Sequence, residues 1–375
     1  MSTKACPVDV LVSGAACIGF SQGITSASII LNPEEKTSAM SQKRKNVSWD
    51  KIVTDGNEIY NGREGGHIME NFVTMITPYN ADGRVDYQLA EQYVNWYHAC
   101  GMDGIFSICQ SSEIFWLSLE ERIELNRRVY ACAKKLERAH GKPFRVISSG
   151  HISDTLEEQA RELNAVWESG TDALILITNR LDVNREGDDA FIRHGEQLLD
   201  RLPAEAKLGL YECPYPYKRL VTPRILDWCS KTGRFFYMKD TCCDAEEMAR
   251  RCRQLEGSHL RLYNANCQTL LESVRNGAAG YCGIMCNFHP KLYSWMANHL
   301  EDPMAEVVQG VLGTFGFTEI GLPYPLTAKY HMCLRGMETE NYARNRDSAE
   351  LTAYAQSCMR QMKTATDYLE HMLGI

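Results

Sequence analysis

Much that would point to a familiar class of function is missing from this sequence of 375 residues. No CxxC pair occurs. The one CxxxC, Cys282 with Cys286, sits in an apolar, glycine-rich stretch with no zinc-type spacing after it. No GxGxxG follows a strand candidate, which removes the usual dinucleotide fingerprint. No unbroken run of the roughly 20 apolar residues that a membrane helix needs is present, because Ser, Thr, Gly and Gln interrupt Val8 to Ile30. Positive charge is not in excess: 40 Lys and Arg against 48 Asp and Glu leave a net charge of −8. An acidic chain is a poor electrostatic match for nucleic acid or an anionic membrane, so neither is expected as a partner.

What is present is ordinary for a globular protein. Apolar residues make up 44% and charged residues 23%, enough for a sizeable core. The length suits one large α/β barrel with additions, or two ordinary domains. Fifteen cysteines are scattered through apolar segments rather than packed into a short scaffold. They read as reduced, mostly buried thiols, which implies a reducing, cytoplasmic setting.

Residues 1–66 differ from the rest. Only Lys4 is basic before Lys36, Asp9 interrupts the apolar region, and no Arg precedes Arg44, so neither a signal nor a transit peptide is expected. Lys43-Arg44-Lys45 is a short basic cluster of the kind found in solvated tails, and Met40 is a possible alternative start. The segment reads as a poorly ordered extension.

From Asn71 onward, short apolar runs alternate with amphipathic stretches. Strands are expected at 72–76, 104–108, 145–148, 173–177, 208–211, 235–238, 260–263 and 280–284. Helices are expected between them, opened by Asp86, by the Ser118–Glu121 capping box, and by Asp154 or Thr155. Pro290 opens the eighth at its first position. Eight strand–helix units imply a parallel sheet closed into a (β/α)₈ TIM barrel over 67–300, with a doubly wound open sheet as the runner-up. Residues 301–375 read as C-terminal helices at 305–312, 326–334 and 348–373.

In such a barrel chemistry sits where strands end. Lys239 closes the apolar run Phe235-Phe236-Tyr237-Met238. A lysine aimed into the barrel mouth is partly desolvated, which disfavours its ammonium form, and a neutral amine can attack a ketone to form a Schiff base. Taken alone, Lys239 reads more simply as a strand-end lysine snorkelling to water. Tyr211 ends the preceding strand, so it should be the lysine's neighbour, where a phenol can shuttle a proton. Gln110, Ser111 and Ser112 follow the second strand, in a loop able to hold a carboxylate, though serine is also plain turn chemistry.

These segments, in order, resemble the dihydrodipicolinate synthase / N-acetylneuraminate lyase family of class I, pyruvate-dependent aldolases. The resemblance runs over about residues 70–340. It includes Thr77-Pro78, Asp82 to Asp86, Gly101 to Ile105, Ser111-Ser112-Glu113 and Leu117 to Arg122. Further on it includes Tyr211-Glu212-Cys213-Pro214, Met238-Lys239-Asp240-Thr241, Ala278 to Pro290 and Pro323 to Gly336. Tyrosine and lysine lie 239 − 211 = 28 residues apart. The resemblance implies Lys239 as the Schiff-base lysine and Tyr211 as the acid/base phenol. It implies Ser111 as the hydroxyl that binds the pyruvate carboxylate and relays protons, with Gly283 beside the imine. Gln110 departs from the family's first Thr. No metal and no cofactor are called for. Small-molecule keto acid and aldehyde or sugar-acid substrates are implied, as is a homo-oligomer, tetramer or dimer.

Two departures bear on the substrate. Pro216 stands where dihydrodipicolinate synthases carry an arginine, and Asn179-Arg180-Leu181 stands where they carry a relay tyrosine. Both argue against 4-hydroxy-tetrahydrodipicolinate synthesis itself. Arg180 is expected to replace the missing arginine in binding the acceptor. Glu212 takes the place of the family's Asn, either as a second ionisable group near the site or as a loop carboxylate facing water. A Schiff-base lyase is the leading reading. The synthase proper and a non-catalytic barrel are the alternatives. A metal-dependent aldolase would need a His/carboxylate cluster that the ten histidines do not supply.

Overall fold

The computed structural model describes residues 69–375, so the expected extension over 1–66 lies outside the described residues. Eight parallel strands close into a barrel in sequence order: β1 Glu70–Thr74, β2 Gly104–Phe106, β3 Arg145–Ser148, β4 Ala173–Ile177, β5 Leu208–Tyr211, β6 Phe235–Asp240, β7 Arg261–Asn264 and β8 Gly280–Gly283. β1 pairs with β8, which removes both sheet edges. Each strand is followed by a helix: α1 Tyr87–Ala99, α2 Leu119–His140, α3 Leu156–Glu168, α4 Asp188–Leu199, α5 Pro223–Thr232, α6 Ala245–Gln254, α7 Leu270–Arg275 and α8 Pro290–Asn298. The (β/α)₈ barrel expected from the alternating pattern is the fold of the chain, and the open sheet is excluded.

Local chemistry sets these elements. Asp86 caps α1 by accepting from Leu89 N, and Ser118 and Glu121 cap α2 reciprocally. Of the two candidates for α3, Thr155 holds the cap. Gly141 and Gly233 end α2 and α5 with positive φ. Strand residues alternate between the two faces. On β6, Tyr237 and Lys239 face the barrel interior, while Met238 packs outward among Leu176, Leu210, Leu226 and Leu262.

Three helices follow the barrel: α9 Met304–Ile320, α10 Leu326–Leu334 and α11 Ala353–Met372. α9 is the main correction to the expected elements, which ended it at Leu312. Its glycines suggest a stop, yet Gly316 is a contact point. A Cβ on Gly316 would fall 2.0 Å from Cys267 Sγ, so glycine lets the helix lie directly on the loop after β7. Gln309 secures it there, accepting from Leu271 N at 2.9 Å and donating to Cys267 O at 2.8 Å. The last expected helix begins later than Ser348: one 3₁₀ turn, Ser348–Glu350, precedes α11.

Candidate active site

The C-terminal ends of the strands open onto a cavity of about 390 Å³. The barrel supplies Gln110, Ser111, Tyr211, Lys239, Thr241 and Gly283; the C-terminal segment supplies Glu319, Ile320, Leu322, Tyr324, Asn345 and Arg346. Below the cavity the barrel is filled. Phe106, Ile147, Ile175, Tyr237, Tyr263 and Cys282 leave a void of only about 10 Å³ beneath Lys239.

Lys239 and Tyr211 are register partners on β6 and β5. The ammonium nitrogen lies 4.5 Å from the centre of the Tyr211 ring and 5.7 Å from that of Phe106. Lys239 is 7% exposed, and it has no ion pair among the described residues. It is therefore enclosed by aromatic faces and opens on the cavity. Burial, and then the neighbouring thiols, hold the Tyr211 phenol well above its ordinary range, so it is protonated at neutral pH.

Of the loop after β2, two residues reach the cavity and one does not. Gln110 and Ser111 line it. Ser112 is turned into its own turn, its Oγ accepting from Cys109 N at 2.6 Å and donating to Cys109 O at 2.8 Å. It shapes the loop and does not face the cavity. Gly283 lines the cavity where β8 ends. A Cβ there would sit 2.2 Å from the Tyr281 ring, so the close approach requires glycine.

Arg180 is also not where the sequence suggested. It is 7% exposed and does not line the cavity. Its Nη1 pairs with Asp154 at 2.7 Å and donates to Ile152 O at 3.2 Å, and its Nε donates to Asn179 Oδ1 at 3.0 Å. The strand-four loop is tied to the segment before α3 and to the loop after β5, and Arg180 does not reach the cavity. Glu212 fits neither of its two expected roles. Strand alternation points it away from the Tyr211 side, into a fully buried group with Asp240 and Arg251. It accepts from Val221 N and Thr241 N, both at 2.7 Å, and from Arg251 at 2.9 Å. Burial, and then the Asp240 carboxylate, push its carboxyl up to about 7.

One of the cavity residues that sequence reasoning missed is Tyr324. Its hydroxyl stands beside that of Ser111 and accepts from Asn287 Nδ2 at 3.3 Å. Asn287 is itself held by Tyr97 Oη at 2.7 Å and by Thr74 O at 2.9 Å. Burial keeps the Tyr324 phenol well above its ordinary range. The available signal was the Pro323-Tyr324-Pro325 sequence just before α10.

The loop that carries Asn345 and Arg346 is fixed by Glu113, whose left-handed backbone (φ 62°) turns its carboxylate inward. That carboxylate accepts from Arg344 N at 2.6 Å and Asn345 N at 3.2 Å, and pairs with the fully buried Lys329 at 2.9 Å. Among the described residues, no group of three or more His, Cys, Asp or Glu side chains could hold a metal ion. Cys282 and Cys286 are buried free thiols. No helix among the described residues is long and apolar enough to cross a membrane.

Comparison with known proteins agrees with the barrel fold. Residues 68–137, from β1 to most of α2, match the family model described as the dihydrodipicolinate synthetase family. A DapA-like lyase of Chloroflexus aurantiacus is 25% identical over 58% of this chain and 70% of its own length. A 4-hydroxy-tetrahydrodipicolinate synthase of Alcanivorax borkumensis is 24% identical over 60% of this chain and 71% of its own. Among solved structures, the lysine-bound dihydrodipicolinate synthase of Cyanidioschyzon merolae superposes with a TM-score of 0.70. It is 20% identical, covering 80% of this chain and 99% of that one. The resemblance read from the ordered motifs is thereby borne out.

Proposed function

We propose that this protein is a Schiff-base-forming lyase of the class I aldolase type, acting on a 2-keto acid such as pyruvate with an aldehyde or sugar-acid partner. The observation that carries the reading is the Lys239–Tyr211 pair: an amine without an ion pair among the described residues, enclosed by aromatic faces and opening on the cavity, register-paired with a protonated phenol. The Lys239 amine attacks the keto carbon, the former carbonyl oxygen leaves as water, and the imine nitrogen becomes an electron sink for the bond next to it. Tyr211 supplies the proton that lets the oxygen leave and takes it back on hydrolysis. Ser111 and Gln110 hold the keto acid's carboxylate, and the Ser111–Tyr324 hydroxyl pair passes protons at that end. No cofactor takes part in these steps.

Borohydride trapping tests the proposal. After incubation with pyruvate and reduction, the intact wild-type protein should gain the mass of one pyruvate adduct, and Lys239→Ala should gain none. Tyr211→Phe should form the adduct about 10²- to 10⁴-fold more slowly. An adduct retained by Lys239→Ala would remove the proposed nucleophile. Failure of the wild type with every 2-keto acid would favour the non-catalytic barrel.

The names of several relatives make 4-hydroxy-tetrahydrodipicolinate synthesis the second reading. Pro216 at the position of the expected arginine, and Arg180 withdrawn to Asp154, weigh against it. We further propose self-association. Phe317 and Ile320, one turn apart on α9, are over 70% exposed, as an apolar patch awaiting a second copy would be. Sedimentation of the full chain should give a species heavier than 42.5 kDa, and a strictly monomeric profile would remove this part.

A further inference from the structure

Two buried polar atoms at the cavity lack what buried polar atoms normally have. Glu319 is 1% exposed; its Oε1 accepts the Thr327 hydroxyl, and its Oε2 has no hydrogen-bond partner among the described residues. Asn345 donates its backbone N–H to Glu113, but its Oδ1 also has no partner. Among the described residues with such unpartnered buried atoms, these are the two that line the cavity. Leaving such a group unpaired when buried is unfavourable, and a ligand that pairs it recovers that cost. Next to Asn345, Arg346 reaches the same cavity. It is half-exposed, and among the described residues its guanidinium is paired only with the similarly exposed Glu350 at 3.2 Å. An exposed pair of this kind is weak and open to exchange for another anion.

We propose that Glu319, Asn345 and Arg346 form a second subsite of the cavity, which selects a partner molecule bearing both hydroxyl groups and an anionic group. The hydroxyls pair with Glu319 Oε2 and Asn345 Oδ1, and the anion pairs with the Arg346 guanidinium. Burial pushes the Glu319 carboxyl up to about 8, so at neutral pH it is mostly a neutral acid that donates to one hydroxyl oxygen. The cavity of about 390 Å³ equals the volume of roughly thirteen waters at about 30 Å³ each, room for a keto acid and a second small molecule. The subsite belongs to the C-terminal segment, not to the strand-four or strand-five loops. The inference rests on the lyase reading only in calling this molecule the reaction partner; the binding site stands independently.

The test uses D-gluconate, which carries hydroxyls and a carboxylate but no keto group, so it cannot form an imine. Calorimetric titration of the full chain with D-gluconate, D-glucose and hexanoate should show gluconate binding at least about tenfold more tightly than either control. Arg346→Gln should weaken gluconate about tenfold and leave glucose unchanged. Glu319→Met, which fills the same space but has neither donor nor acceptor, should weaken gluconate and glucose alike while hexanoate is unaffected. Gluconate binding no tighter than hexanoate would overturn the subsite, as would both variants binding like the wild type with their melting temperatures preserved. Pyruvate trapping run in parallel separates the two ideas. Gluconate discrimination without an adduct removes the lyase reading alone, and an adduct without discrimination removes the subsite alone.

Discussion

Arg180 shows how a residue's role is decided by what it can reach. A guanidinium near a barrel mouth suggests anion binding, but here Asp154, Ile152 and Asn179 take up its donors. Arg180→Ala should therefore leave the KM for any partner aldehyde unchanged and lower stability by about 1–2 kcal/mol, through lost packing and hydrogen bonds. Asp154 is largely exposed and is rehydrated when its partner goes, which keeps the loss modest. Denaturant titration and steady-state kinetics on the same variant check both halves; a raised KM with unchanged stability would return Arg180 to the site. The same contrast separates Ser111 from Ser112. Adjacent serines look alike in sequence, and only the turn that consumes the Ser112 hydroxyl tells them apart.

At the scale of elements, the Glu212–Arg251–Asp240 group ties the ends of β5 and β6 to α6 directly behind Tyr211 and Lys239. Each carboxylate sits one residue after a proposed catalytic group, so its ion pair fixes the strand end that aims that group. Arg251→Met would bury two carboxylates without their cation, and removing one partner of a buried network costs about 3–5 kcal/mol. The variant should unfold at markedly lower denaturant. A variant as stable as the wild type would show that the group contributes nothing. β3, β4 and β5 were legible to the residue, because short apolar runs bounded by turn residues leave little choice of limits. α9 was not. Gly313 and Gly316 weaken a helix by propensity, and only the close packing on Cys267 explains why it continues to Ile320. The unread turns were the ones that carry Glu319 to the cavity.

For the molecule as a whole, buried titratable groups set the pH dependence of stability. Glu319 is raised to about 8 in the folded state against an ordinary 4.5. The folded chain thus holds its proton where the unfolded chain has lost it. The stability from this group is fully present below about pH 4.5 and is lost as pH rises through about 8. Glu212 acts in the same direction. His151 and His289, depressed to about 4 and about 3 by burial, act oppositely and weaken the fold as pH falls below about 6.5. Glu319→Gln removes only the first contribution. Its melting temperature relative to the wild type should therefore be a few degrees higher at pH 8 than at pH 5. Equal differences at both values would show that Glu319 is not held protonated.

The sequence by itself determined the barrel, its strand order and the Lys239–Tyr211 pairing. Hydrophobic period, capping residues and turn glycines are local, and eight βα units in series have one common way to close. The same locality explains what it left open. Which side chains face the cavity depends on strand alternation, on how a loop spends its hydrogen bonds, and on where a distant helix lands. That is why Glu212 and Arg180 turned out to be internal ties, and why Tyr324, Glu319 and Arg346 line the cavity. The tertiary structure alone decided these, because Glu113 at the second strand's end anchors backbone more than two hundred residues later in the chain.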